Sequence, residues 1–268
     1  MKKHFYLMGL MMGLIVSGFA LSACGSDDDG KGGGTNGGGS NGDNSSSSLN
    51  RVKKLVEDDN GTHIESVFTY DSEGRIAKVV KTQTSSKNGT RVSETTYQYG
   101  ELMITSQEVT EGAYNRTESH TYTLTNGLIT KDVEVQKFET NPGEKTTMTF
   151  SYDKDGYLAS QTSDSGDGVK KKDYVWNDGN LTSFDSREFQ YSNIAWGKGM
   201  FLYYNGTNTD RFLQPYGYWG KMPKNLMSKD NFKEATYDYV VTNGQVSKIT
   251  VTSNRKGEVV YVATLTWE

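Results

Sequence analysis

The chain has 268 residues, with 29 Lys and Arg against 33 Asp and Glu, a formal net charge of -4. That balance lacks the basic footprint of a nucleic-acid binder, and a mean hydropathy of -0.69 is too polar for a helical membrane protein. One Cys excludes a disulfide framework or a multi-cysteine zinc site, and three His leave little for metal chemistry.

Lys2 and Lys3 precede an apolar run from Phe5 to Val16, which is short for a stable span. Leu21-Ser22-Ala23-Cys24 follows and resembles a bacterial lipobox, with small residues for the peptidase cleft and a thiol to receive diacylglycerol. The resemblance implies a signal peptide over 1–23 and a mature chain that begins at acylated Cys24. Each buried CH2 contributes about 0.8 kcal/mol, so two or three acyl chains anchor durably. Residues 25–49 hold nine Gly, six Ser, four Asp and three Asn. They bury nothing to offset chain entropy, so 24–50 reads as an acylated Cys and disordered tether. Its reach is roughly 25–30 Å. Asp27, Asp28 and Asp29 resemble the acidic export signal of Bacteroidetes surface lipoproteins. The expected location is the outer membrane, lipid-anchored and facing the exterior.

From Arg51 to Glu268 a two-residue period dominates, the signature of strands. One template recurs: an aromatic residue, one residue, an aromatic or aliphatic residue, turn residues, Gly, then an aliphatic residue two positions on. It reads Phe68-Thr69-Tyr70-Asp71-Ser72-Glu73-Gly74-Arg75-Ile76, and returns at Tyr97–Leu102, Tyr122–Ile129, Phe150–Leu158, Tyr174–Leu181 and Tyr239–Val246. Gly takes the positive φ of a tight hairpin without a Cβ clash, and Asn or Asp before it tolerates the same region. A second, more polar turn set alternates with the first: Asn60-Gly61, Asn88-Gly89, Gly112, Pro142-Gly143, 165–168 and Lys256-Gly257. Two alternating turn sets predict an all-β fold: an antiparallel up-and-down meander of about fourteen strands in one domain, 51–268. A sheet of that many strands must curl strongly or close into a barrel-like form.

A membrane pore needs an unbroken apolar outer face on every strand. Strand 75–84 offers Arg75, Ala77, Val79, Lys81, Gln83 on one side and Ile76, Lys78, Val80, Thr82, Thr84 on the other. Strand 128–138 likewise has charge midway on both sides. A Lys at the bilayer midplane costs roughly 2–4 kcal/mol, so the sheet is expected in water.

The Gly rhythm stops over 186–234, where eleven aromatic residues crowd together with Pro215 and Pro223. One reading makes this insert a plug filling the concave side of the sheet. The sharper reading is an aromatic platform for sugar rings, with Trp196, Tyr216, Tyr218 and Trp219 as its ligand-binding residues.

The Tyr-Asp-x-x-Gly hairpins over 68–181 look like YD-type repeats. With the insert, Trp219-Gly220-Lys221, Lys224-Asn225-Leu226 and the Tyr239–Gly244 hairpin, residues 51–268 resemble a Bacteroides lipoprotein family of unknown function described as porin-like in fold. The resemblance implies a barrel-like sheet and carries over no catalytic residue.

Asp71/Glu73 and Asp153/Asp155 could ligate calcium or act as acid pairs, but a position beside a Gly turn explains them. His63 and His120 fall in different hairpins, and no His-Glu or Cys-His pair has metal spacing. The sequence therefore predicts a non-enzymatic lipoprotein with no cofactor, no metal and no nucleic-acid partner. It is a monomer held to the membrane through acyl chains on Cys24, binding a glycan or a protein. A hydrolase with an unrecognised carboxylate site, or a structural component of an outer-membrane complex, are the alternatives.

Overall fold

The structure, a computed structural model, describes residues 51–112, 115–139, 141–166, 168–197 and 210–268. The expected signal peptide and tether, with Cys24 and Asp27, Asp28 and Asp29, lie outside the described residues. The strands in chain order are β1 (Val52–Asp59), β2 (Thr62–Tyr70), β3 (Ile76–Ser85), β4 (Gly89–Tyr99), β5 (Met103–Glu111), β6 (Arg116–Thr125), β7 (Leu128–Phe138) and β8 (Asn141–Tyr152). They continue as β9 (Leu158–Asp164), β10 (Val169–Asn177), β11 (Asn180–Phe184), β12 (Arg187–Ala195), β13 (Asn225–Asp230), β14 (Ala235–Thr242), β15 (Gln245–Ser253) and β16 (Glu258–Trp267). Each pairs antiparallel with its chain neighbours, and β16 returns to β1 with Val52 opposite Trp267 and Asp59 opposite Tyr261. The sheet is a closed sixteen-strand barrel, which leaves no edge exposed.

The predicted hairpins form as expected. Asn126-Gly127 has φ 52° and 77°, and Asn243-Gly244 has 53° and 76°. Two successive positive φ values match the right-handed twist of the strands they join. Asp71 Oδ1 accepts the Glu73 and Arg75 N–H groups at 2.9 and 2.8 Å, and Asp153 Oδ1 does the same for Asp155 and Tyr157. These carboxylates are turn residues.

The count of about fourteen strands falls short by two. Segment 186–234 is not wholly an insert, because its flanks are wall strands β12 and β13. The turn before β12 is Asp185-Ser186, at φ 46° and 64° with no Gly, so it carried no glycine signal. Between β12 and β13, residues 210–219 lie inside the barrel. Residues 211–216 form a short 3-10 helix with Asp210 as its N-cap, and Leu213 and Trp219 are buried against inward-facing wall residues. The predicted plug is residues 210–219.

Residues 216–224 then cross one rim of the barrel. The Ile76 N–H donates to the Tyr216 hydroxyl, Ile129 N–H to Tyr218 O, Lys221 N–H to Gly156 O and Lys224 N–H to Gly179 O. These bonds satisfy rim groups that the ladder leaves over. Arg51 and Glu268 meet at the same rim, joined by a Glu268 N–H···O Arg51 bond of 2.9 Å. The Gly74-type turns therefore mark a capped end, and the polar turns mark the other.

The crossing depends on one close approach. Gly220 sits at φ 76°, and a Cβ there would lie 2.4 Å from Gly156 O and 3.0 Å from the Tyr152 ring. Gly244 has the same φ with nothing within 4 Å. Gly244→Ala should therefore cost only the conformational term, about 1–2 kcal/mol. Gly220→Ala adds a backbone clash and should cost about 3 kcal/mol or more. Thermal denaturation of the two variants checks this; equal losses would contradict the close approach.

Candidate functional site

Alternate residues along the strands point into the barrel, with the alternation reset at β-bulges such as those beside Leu124 and Val52. Near the capped rim these residues are Phe68, Tyr97, Tyr122, Leu124 and Phe150, and they form the core with the plug. Trp219 is 3% exposed, edge-on to Phe150 (centroids 4.9 Å) and to Tyr122 (6.0 Å). Its indole N–H donates to Asp210 O at 3.1 Å. Asp210 Oδ2 accepts the Tyr97 hydroxyl at 2.8 Å, and Oδ1 accepts the Phe212 N–H at 2.9 Å. Burial pushes the Asp210 carboxyl up, against the pull of these donors.

The four aromatic residues singled out from the sequence do not share one platform. Trp219 is core. Tyr216 and Tyr218 are half-buried in the rim crossing, with the Tyr218 ring stacked 6.1 Å from Tyr99. Trp196 is also half-buried, donates its backbone N–H to Lys224 O, and lines a cavity.

That cavity measures about 470 Å³ and lies inside the barrel along β14, β15, β16 and β1–β3. It runs from Trp196 and Leu265 to Asp59, Asn60, Lys233 and Ser253 at the polar rim. One wall is apolar and aromatic, with Met227, Tyr239, Ile249 and Val251. The other carries Glu57, Lys81, Gln83 and Arg211. Its size falls within the usual range for small-molecule sites, with few polar groups on a largely apolar lining.

The polar wall is fixed by one ion pair. The Arg211 guanidinium donates to both oxygens of Glu57, at 3.0 and 2.7 Å, and Tyr261 donates its hydroxyl to Glu57 Oε1 at 2.6 Å. Burial disfavours the Glu57 carboxylate, but Arg211 and Tyr261 outweigh it and hold the group below the ordinary carboxylate range. The pair joins plug to wall across 154 residues of chain.

A second polar cluster faces the interior on β5–β7. Lys81 and Arg116 flank Glu108 at 3.3 and 3.1 Å, and Arg116 also reaches Glu118 at 3.1 Å. His120 lies between Glu118 (Nε2 to Oε1, 3.1 Å) and Asp132 (Nδ1 to Oδ2, 2.9 Å). Burial disfavours a charged ring, but these carboxylates outweigh it and push His120 up to about 10. Burial raises the Asp132 carboxyl, against the pull of His120. Glu118, His120 and Glu134 each bring one ligand atom within 4.8 Å of the others. Linear spacing hides this cluster, because it needs the β6–β7 register, which sets His120 opposite Glu134. The available signal was the alternation Glu118-x-His120 on one strand and Asp132-x-Glu134 on the next.

Breaking the Glu57–Arg211 pair leaves the Glu57 carboxylate buried without its guanidinium partner, which costs about 3–5 kcal/mol. Because Glu57 is depressed in the folded state, the pair's contribution is complete above the ordinary carboxylate range. It fades as pH falls through the lowered value. Urea denaturation of wild type and Arg211→Ala should therefore differ most at neutral pH and converge on acidification. A pH-independent difference would contradict the pairing.

Against known proteins, the model of the domain of unknown function (DUF4595) with porin-like fold matches residues 68–261. A crystal structure of a porin-like protein from Bacteroides uniformis ATCC 8492 aligns with a TM-score of 0.54 at 19% identity, covering 81% of this chain and 96% of that one. A porin-like protein from Bacteroides vulgatus ATCC 8482 aligns at 0.43 and 12% identity, covering 82% and 99%. These likenesses concern the fold. No curated protein matches the chain. With the model spanning most of the barrel, the chain belongs to the DUF4595 family of domains of unknown function with porin-like fold.

Proposed function

We propose that this chain is a lipid-anchored, non-enzymatic binding protein of the outer membrane. Its barrel stands in water and holds a small amphipathic molecule inside. The observation that carries the reading is the cavity of about 470 Å³, with one apolar and aromatic wall facing Lys81, Arg211 and Glu57. A ligand with an apolar or aromatic body and a polar end matches that division; a sugar ring against Trp196 is one form of it. Arg51, where the tether joins, belongs to the capped rim, while the cavity reaches the opposite, polar rim. Acyl chains on Cys24 supply the membrane partner, and Asp27, Asp28 and Asp29 the signal for outward display.

The outer wall supports water as its solvent. Lys54 and Glu65 pair outward at 2.6 Å between β1 and β2, and Lys78 and Glu94 at 3.0 Å between β3 and β4. Lys171 and Asp173 pair along the outside of β10 at 2.8 Å. Charges at such positions oppose a lipid-facing surface by roughly 2–4 kcal/mol per Lys.

Anilinonaphthalene sulfonate, an anionic aromatic probe, should bind the folded protein once, with a dissociation constant of roughly tens of micromolar. Ala263→Phe, which projects a ring into the cavity from β16, should abolish that binding while leaving the circular dichroism unchanged. Equal binding by the variant would remove the cavity reading. Separately, Cys24→Ser should move the protein from the membrane fraction to the soluble one. Retention in the membrane would remove the anchor.

A further inference from the structure

The cluster around His120 is separate from the cavity and is not needed for the binding reading. Its donors come from facing strands. On β6, Glu118 and His120 are two residues apart and both point inward; on β7, Asp132 and Glu134 do the same. One ligand atom each from Glu118, His120 and Glu134 lies within 4.8 Å of the others. Donors bonded to one metal at about 2.0–2.2 Å in tetrahedral array stand about 3–3.5 Å apart. The Glu118 Oε1 to His120 Nε2 distance of 3.1 Å meets that spacing.

Each donor is held from behind by a different group. The His120 Nδ1 faces Asp132, whose side chain is fully buried, at 2.9 Å. This sets the ring with Nε2 toward Glu118. A carboxylate behind a ligating imidazole is the usual outer partner of a metal-binding His. The imidazole also lies parallel to the Tyr122 ring, centroids 5.4 Å apart and 3° between planes, which limits its rotation. Arg116 holds the outer oxygen of Glu118 at 3.1 Å, and the Gln136 amide holds Oε1 of Glu134. Side chains braced in this way lose little entropy when a cation arrives.

The geometry points to a divalent transition-metal site inside the barrel, with Glu118, His120 Nε2 and Glu134 as ligands and Asp132 as the positioning residue behind the imidazole. One imidazole and two carboxylates suit Zn²⁺, Co²⁺ or Mn²⁺, and they fall short of the six to eight oxygens that Ca²⁺ takes. The two charges of a bound cation balance the two glutamates. Three protein ligands leave a coordination position open toward the lumen, the pattern of metal sites that bind a further molecule.

The test is titration of the purified, chelator-treated full chain with Co²⁺. Wild type should take up one equivalent with the visible bands of low-coordinate Co²⁺. Glu134→Gln should weaken binding at least ten-fold, and Asp132→Asn by roughly 10–100-fold. His63→Ala, an exposed His paired with Asp58 on the outer wall, should bind like wild type. Because Asp132 is buried, circular dichroism checks each variant; should Asp132→Asn unfold, Glu134→Gln carries the mutational test. Independently, adding Zn²⁺ to wild type should shift the His120 Nε2 resonance and leave His63 in place. Stoichiometric binding that survives Glu134→Gln, no stoichiometric binding by wild type, or a His63 shift without a His120 shift would each overturn the assignment.

Discussion

Sixteen strands closed on themselves enclose more space than their own side chains fill. An eight-strand barrel packs its interior with wall residues, whereas rings of this size leave a lumen. That surplus volume governs the rest of the molecule. Part of it takes the plug, residues 210–219, with Leu213 and Trp219 completing a core that Tyr97, Tyr122 and Phe150 only begin. The cavity beside β14–β16 occupies another part. Along β5–β7 the interior stays polar, and Glu108, Arg116, Glu118, His120 and Asp132 neutralise one another there. Closure also removes the sheet edge, so a long polar meander can stay in water without pairing to another copy.

The plug is held by directional bonds as well as by packing. Arg211 on Glu57 ties it to β1, Asp210 under the Tyr97 hydroxyl ties it to β4, and the rim crossing ties it to the turns at Gly156 and Gly179. These attachments span most of the ring, so the excursion between β12 and β13 braces the wall from inside. Leaving any one buried charge without its partner is costly, which makes the arrangement specific in register. A porin-like fold here describes the shape of the ring. Its outer surface carries paired charges where a lipid-facing wall would carry aliphatic residues.

Much of this was legible in the chain. The two-residue period and Asn-Gly or Asp-x-x-Gly turns give the strands and their order, because a tight hairpin leaves a local chemical trace. Closure was one of two forms expected of so many strands. Asp185-Ser186 shows where the reading runs out: an aspartate and a serine took the two positive φ values, so the turn looked like ordinary polar sequence and β12 was absorbed into the insert. Trp219 and Trp196 looked alike as aromatic residues, yet one is core and the other lines a cavity, because orientation follows from long-range packing. The His120 cluster was illegible for a related reason. Its members become neighbours only when the register sets Tyr122 opposite Asp132 and His120 opposite Glu134, and that pairing is a property of two strands together.

The central claim is that the ring faces water outside and is filled within. The most direct measurement joins sedimentation of the chain from Arg51 onward in detergent-free buffer with current recording across a planar bilayer. The account predicts one monodisperse, β-rich monomer and no current. Aggregates that only detergent disperses, together with discrete conductance steps, would contradict it.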